Sequence, residues 1–153
     1  MAEDHEAVRR GVRSLVASDS DWEICDEAVD GLDAVEKAKS ARPDVIILDI
    51  SMPKMSGLQA APLIKNELPD SEILMLSQHD LIQARQLALN AGARAFISKG
   101  NMDRDLVTAI GGLLGNDERS ASSTRLSELT PPDSSPELPA GFEFLAGAGE
   151  WAN

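Results

Sequence analysis

The sequence predicts an α/β protein: a parallel sheet with helices on both faces. Three observations carry that expectation. Val45-Ile46-Ile47-Leu48, Ile73-Leu74-Met75-Leu76 and Ala95-Phe96-Ile97 are short continuous apolar runs, the pattern of strands buried on both faces. The stretches between them carry apolar residues at helical spacing. Strands alternating with helices make right-handed βαβ units and therefore a parallel sheet. Aromatic residues are 3% of the chain and Tyr is absent, so the core between the layers has to be aliphatic.

Each element has its own warrant. Residues 5–18 place Val8, Val12, Leu15 and Val16 on one face of an amphipathic helix, with Arg9, Arg10 and Arg13 on the others. Trp22-Glu23-Ile24-Cys25 reads as a short strand, with Cys25 as a small core residue. Asp30-Gly31 marks a turn, and residues 31–40 resume helical spacing through Leu32, Val35 and Ala38 until Arg42-Pro43 ends it. Residues 57–68 read as a helix with Leu58, Ala61 and Ile64 on one face. Pro62 inside it predicts a start nearer Ala61 or a kink, because an interior proline costs ~3 kcal/mol. Residues 80–91 form a helix with Asp80 as N-cap and Leu81, Ala84, Leu87 and Ala88 turned inward. The last helix covers residues 101–114 through Leu106, Ile110, Leu113 and Leu114. Beyond it no apolar period is sustained, and Thr130-Pro131-Pro132-Asp133-Ser134-Ser135-Pro136 is typical of the composition. Such a segment buries too little surface to offset chain entropy. The expected organisation is one domain at residues 1–115 and a disordered tail or linker at 116–153.

Composition narrows the function. The chain of 153 residues has room for one ordinary domain and a tail. No run approaches the ~18 apolar residues of a membrane span, and the acidic N-terminus lacks an apolar signal region. The one cysteine, Cys25, allows no intramolecular disulfide. These points favour the cytoplasm. A net charge of −12 argues against general affinity for nucleic-acid phosphates or anionic membranes.

In a parallel sheet the three strand ends share one edge, the edge where open α/β sheets place their chemistry. Asp49, Ser77 and Lys99 end the three apolar runs, so a carboxylate, a hydroxyl and an ammonium converge there. The set suits a covalent acyl phosphate on Asp49, with Ser77 and Lys99 holding phosphoryl oxygens. Two anions approaching each other call for Mg²⁺, which takes oxygen ligands. Glu3-Asp4, ahead of the first helix, are the further carboxylates at hand. Taken one at a time, Asp49 reads as a turn residue, Ser77 and Lys99 as strand ends, and Glu3-Asp4 as acids suited to a helix start.

Together these residues resemble the receiver domains of two-component response regulators, over about residues 3–115. The resemblance is carried by Glu3-Asp4, by Asp49-Ile50-Ser51-Met52-Pro53 with Gly57, by Leu76-Ser77, by Lys99 and by Phe96 three residues before it. Ala-Glu-Asp-His-Glu-Ala-Val-Arg-Arg-Gly at the N-terminus, Leu-Ser-Gln-His-Asp and Asn-Ala-Gly-Ala-Arg-Ala-Phe resemble the NarL/FixJ-type subgroup. The resemblance implies a flavodoxin-like three-layer fold with sheet order 2-1-3-4-5. It implies that Asp49 accepts phosphate from a sensor histidine kinase. Asp4 and Asp49 would bind Mg²⁺ directly, Glu3 through water, and Ser51 through its backbone carbonyl. Lys99 would pair with the phosphoryl group while Ser77 turns inward and Phe96 follows. The face of the fourth helix, last strand and final helix would change its affinity for a homodimer partner or another regulator.

The sequence departs from that family in four ways, two of them minor: Glu3 stands where Asp is commoner, and Gly100 follows Lys99 where many relatives have Pro. Only Met1-Ala2 precede Glu3, so the central first strand is expected to be largely missing, with either the true start upstream or the chain a degraded copy. Leu126-Ser127-Glu128-Leu129-Thr130-Pro131 resembles the entry to a helix-turn-helix, but no Lys or Arg follows Pro131, so direct DNA binding by this chain is not expected. The leading expectation is a phosphorylation-dependent regulator rather than a metabolic enzyme. The alternative is a phosphorylation-independent interaction protein, or a degraded fragment of a DNA-binding transcriptional regulator, that keeps the fold.

Overall fold

The computed structural model describes residues 1–115, so the tail expected at 116–153 lies outside the described residues. The chain runs α1 (Glu6–Val16), α2 (Gly31–Ala41), β1 (Val45–Asp49), α3 (Gly57–Glu67), β2 (Glu72–Ser77), α4 (Ile82–Asn90), β3 (Ala95–Ser98), a 3-10 turn (Lys99–Asn101) and α5 (Met102–Leu113). β1, β2 and β3 pair in parallel in that order.

The strand alternation sorts the core into two layers. Ile46, Leu48, Ile73, Met75 and Phe96 point to the side packed by Ala34 and Ala38 of α2, Ala60, Ala61 and Ile64 of α3, and Ala88 of α4. Ile47, Leu74, Leu76 and Ile97 point to the other side, against Val12 and Val16 of α1 and Leu106 and Ile110 of α5. Both faces are therefore buried, as the continuous apolar runs require.

The first strand is largely missing, as expected, and isolated bridges at Ala2 stand in its place. Ala2 bridges Leu48 on one side and Ala28 on the other, both in parallel. Four backbone bonds make these bridges: Ala2 N–H to Ile47 C=O (2.8 Å), Asp49 N–H to Ala2 C=O (2.9 Å), Glu3 N–H to Ala28 C=O (3.0 Å) and Ala28 N–H to Met1 C=O (2.8 Å). The order across the sheet is residue 28, residue 2, β1, β2, β3, which is the flavodoxin-like 2-1-3-4-5. Beneath Met1 lies a cavity of about 430 Å³ lined by Trp22, Ile24, Val45 and Ile47 among others.

That cavity goes with two corrections. Trp22–Cys25 forms no strand: among the described residues Met1–Glu3 pairs with Ala28, and none pairs with the residues before it. Cys25 is exposed rather than in the core.

The helices bring others. α3 begins at Gly57 despite Pro62, because Ser56 and Gln59 form a reciprocal capping box that satisfies its first turn. Pro62 lies on the exposed face and removes only the bond to the Leu58 carbonyl. α4 starts at Ile82 with Leu81 as N-cap, and Asp80 makes no cap. Leu81 and Leu87 are 56% and 54% exposed, not inward. Small Ala84 and Ala88 make the packing contact instead. Leu32 is likewise exposed.

Candidate functional site

The sheet edge gathers most of the residues that the sequence singles out. β1 ends in Asp49, β2 in Ser77, and Lys99 follows β3 directly. Glu3 comes in on the short segment beside β1. Lys99 Nζ lies 2.9 Å from Glu3 Oε2 and 3.1 Å from Asp49 Oδ1, so one ammonium serves two carboxylates. Glu3 is fully buried and Asp49 is 1% exposed. The ion-pair contacts lack hydrogen-bond angles, which leaves Glu3 Oε2 and both Asp49 carboxylate oxygens without a hydrogen-bond partner.

Burial pushes the Asp49 carboxyl pKa up, and the neighbouring Glu3 charge pushes it further; Lys99 and lastly the Ser51 backbone N–H pull back without cancelling the rise. Burial also pulls Lys99 down, but Glu3 and Asp49 outweigh it and hold the ammonium above its ordinary value.

Asp4 stands a little apart. Its Oδ1 is 3.0 Å from His5 Nδ1, and His5 also lies 3.4 Å from Glu3 Oε1. Arg9 on α1 holds the backbone of the acidic pair, with Nη1 donating to the carbonyls of Glu3 (2.7 Å) and Asp4 (3.2 Å). Helical periodicity alone puts Arg9 on a solvent face; the signal that could have found it is its spacing of five to six residues from the acidic pair, one turn into α1. Glu3, Asp4 and His5 bring ligand atoms within 4.8 Å of one another, and the buried Asp49 carboxylate ends the strand beside them with Lys99 at 3.1 Å; carboxylates of this kind suit a hard divalent cation.

Ser77 is bonded away from Asp49, and Phe96 is already inward. Ser77 Oγ donates to the His79 carbonyl (2.8 Å) and accepts from the His79 N–H (3.2 Å), closing a local turn. Phe96 is 6% exposed and already packed in the core. The Arg85 guanidinium of α4 sits 4.9 Å from its ring centroid, a cation–π distance.

The loop from β1 to α3 is pinned at both ends. Ile50 C=O accepts from Gly57 N–H at 2.9 Å, and a Cβ on Gly57 would stand 2.1 Å from the Asp49 carbonyl oxygen. A Cβ on Gly31 would stand 2.1 Å from the Met55 carbonyl oxygen, so the loop lies directly on the start of α2. Lys54 takes a left-handed φ of 62° and places Nζ 2.6 Å from Asp30 Oδ2. The other Asp30 oxygen accepts from Asp33 N–H at 2.9 Å and caps α2. Those two bonds, the Asp33 N–H first, hold the Asp30 carboxyl below its usual range. The sequence marks Asp30 as a turn; its pairing with Lys54, 24 residues away, has no local signal.

Residues 1–111 match the response regulator receiver domain family. The chain is similar to the transcriptional regulatory protein YhcZ of Bacillus subtilis, 36% identical over 107 residues, covering 70% of this chain and 50% of that protein. It is similar to the receiver domain of the response regulator NarL from Mycobacterium tuberculosis, 34% identical with a TM-score of 0.69, covering 74% of this chain and 93% of that one. A CheX–CheY complex with BeF₃ and Mg²⁺ from Borrelia burgdorferi matches at 27% identity and a TM-score of 0.69, over 74% of this chain and 85% of that one. The chain spans about half the length of the curated relatives it matches.

Proposed function

The chain belongs to the response regulator receiver domain family, and from that premise we propose that Asp49 accepts a phosphoryl group from a sensor histidine kinase. The family's role is phosphorylation-dependent signalling. One observation carries the assignment of residues: Lys99 Nζ stands between Glu3 and Asp49 at ion-pair distance from both.

In the transfer an Asp49 oxygen attacks the phosphorus of a phosphohistidine. The new O–P bond forms as the N–P bond breaks, and the departing imidazole keeps the electron pair and takes up a proton. Asp49 is 1% exposed, and its charge is met by Lys99 at 3.1 Å, the cation that would move to the incoming phosphoryl group. Receiver domains bind Mg²⁺ at an acidic pocket; here Glu3, Asp4, Asp49 and the Ser51 carbonyl would hold it, and it supplies positive charge between two anions. Lys99 pairs with the phosphoryl oxygens as the Asp49 charge is transferred to them.

Ser77 then leaves His79 to bond the phosphoryl group. In this reading the exchange carries the signal towards α4, whose Arg85 lies over the ring of Phe96, three residues before Lys99. Converting a 1:99 equilibrium to 99:1 takes ~5.5 kcal/mol, which a few charge-assisted hydrogen bonds at ~1.5–3 kcal/mol each can supply. The exposed Leu81, Ile82 and Leu87 on and beside α4 support this face, with β3 and α5, as the surface for a second copy or another regulator.

The test is incubation with Mg²⁺ and acetyl phosphate, followed by intact-mass and peptide analysis. A phosphate adduct on Asp49, absent in Asp49→Asn and with EDTA, is the expected result. A folded chain that gains no adduct and does not respond to beryllofluoride would replace this reading with the phosphorylation-independent interaction protein.

A further inference from the structure

Asp30 and Lys54 form a clasp whose place in the fold is unusual. Asp30 is buried, and its two oxygens are engaged separately. Oδ1 caps α2 through Asp33 N–H, and Oδ2 holds Lys54. Lys54 is 64% exposed, and Asp30 is its one ion-pair partner among the described residues. It nonetheless adopts a left-handed φ of 62°, which side chains with a Cβ rarely take. Such a conformation persists only where contacts over-determine it. The contacts available are the clasp itself, the close approach of Met55 to Gly31 and the burial of Met52 in the core.

We propose that Asp30 and Lys54 are positioning residues that set the metal affinity of the phosphoacceptor site by holding the β1–α3 loop against the start of α2. This role rests on the functional reading above. Lys54 lies three residues after Ser51, whose carbonyl is the backbone ligand of that reading, and the loop between them is short. At the near end Ile50 N–H donates to the Leu76 carbonyl at 3.0 Å. At the far end Gly57 is bonded back to Ile50. The middle of the loop has Lys54 as its anchor to a buried group. Releasing it lets the Ser51 carbonyl wander, and a cation that demands near-octahedral oxygen geometry feels a small displacement strongly.

Substitution separates this role from a merely structural one. Lys54→Gly removes the ammonium but is at ease at φ 62°, so the melting temperature is expected to hold or rise. Asp30→Asn keeps the helix cap and loses the charge. Both variants are expected to weaken Mg²⁺ binding by about three- to tenfold in isothermal titration calorimetry, the range that outer partners of metal ligands begin to reach. Lys54→Arg is expected to restore most of it, and the double variant to be no weaker than either single one. Mg²⁺ affinity within about twofold of wild type in both single variants, inside the ordinary scatter of such effects, overturns the proposal and leaves the phosphoacceptor reading intact, provided wild type binds Mg²⁺ and Asp49→Asn does not. A wild-type chain that binds no Mg²⁺ overturns both.

Discussion

At the scale of single residues, the site is a place where opposite substitutions should move stability in opposite directions. Asp49 has a raised carboxyl pKa in the folded chain because it is buried beside Glu3. A folded-state pKa above the unfolded one means that the native state loses stability as pH rises through that window, and the loss is complete above it. Asp49→Asn should therefore raise the melting temperature near pH 7, by roughly 4–8 °C for each kcal/mol recovered. The gain should shrink as pH falls towards the unfolded-state value, which thermal melts at a series of pH values would track. Lys99→Met should do the reverse, because it leaves two buried carboxylates without their shared cation; a loss of about 3–5 kcal/mol at neutral pH is expected from denaturant titration. If both variants destabilise, burial of like charge is not what raises Asp49. The identities of Asp49, Ser77 and Lys99 are legible in the sequence because each ends an apolar run, and a parallel sheet puts such ends together. The clasp between Asp30 and Lys54 is not, because it joins two loops by tertiary contact alone.

At the scale of elements, the start of α3 positions the loop that follows Asp49. Ser56 and Gln59 satisfy its first turn, so Ser56→Ala should cost about 1 kcal/mol in denaturant titration. Gly57 is more severe. A Cβ there would meet the Asp49 carbonyl oxygen and the Ile50 Cα, both backbone, so Gly57→Ala should cost about 1–3 kcal/mol and abolish phosphate uptake in the acetyl phosphate assay. The three strands are readable because burial on both faces erases polar alternation. α4 misleads for an instructive reason: large apolar side chains need not point inward. Its Leu81 and Leu87 face solvent, while Ala84 and Ala88, four residues apart, let the helix lie close to the sheet. Trp22–Cys25 misleads because β character needs a neighbour as well as a composition, and among the described residues none reaches it.

At the scale of the whole molecule, a net charge of −12 on 153 residues repels itself. Raising NaCl from low ionic strength to about 0.15 M, where screening acts within ~8 Å, should raise the melting temperature even though it weakens surface ion pairs such as Arg13–Glu27. A fall would show that those pairs outweigh the repulsion. The segment Met1–Glu3 matters at this scale too, for it is where the chain's first residues lock the sheet and deliver Glu3 to the site. Short strands held by few bonds open locally at a small fraction of the global free energy. The Asp49 amide, bonded to the Ala2 carbonyl, should therefore exchange with deuterium well before the amides inside β2. The segment that delivers Glu3 then has a lifetime of its own, set by local opening of the Ala2 bridges rather than by unfolding of the domain.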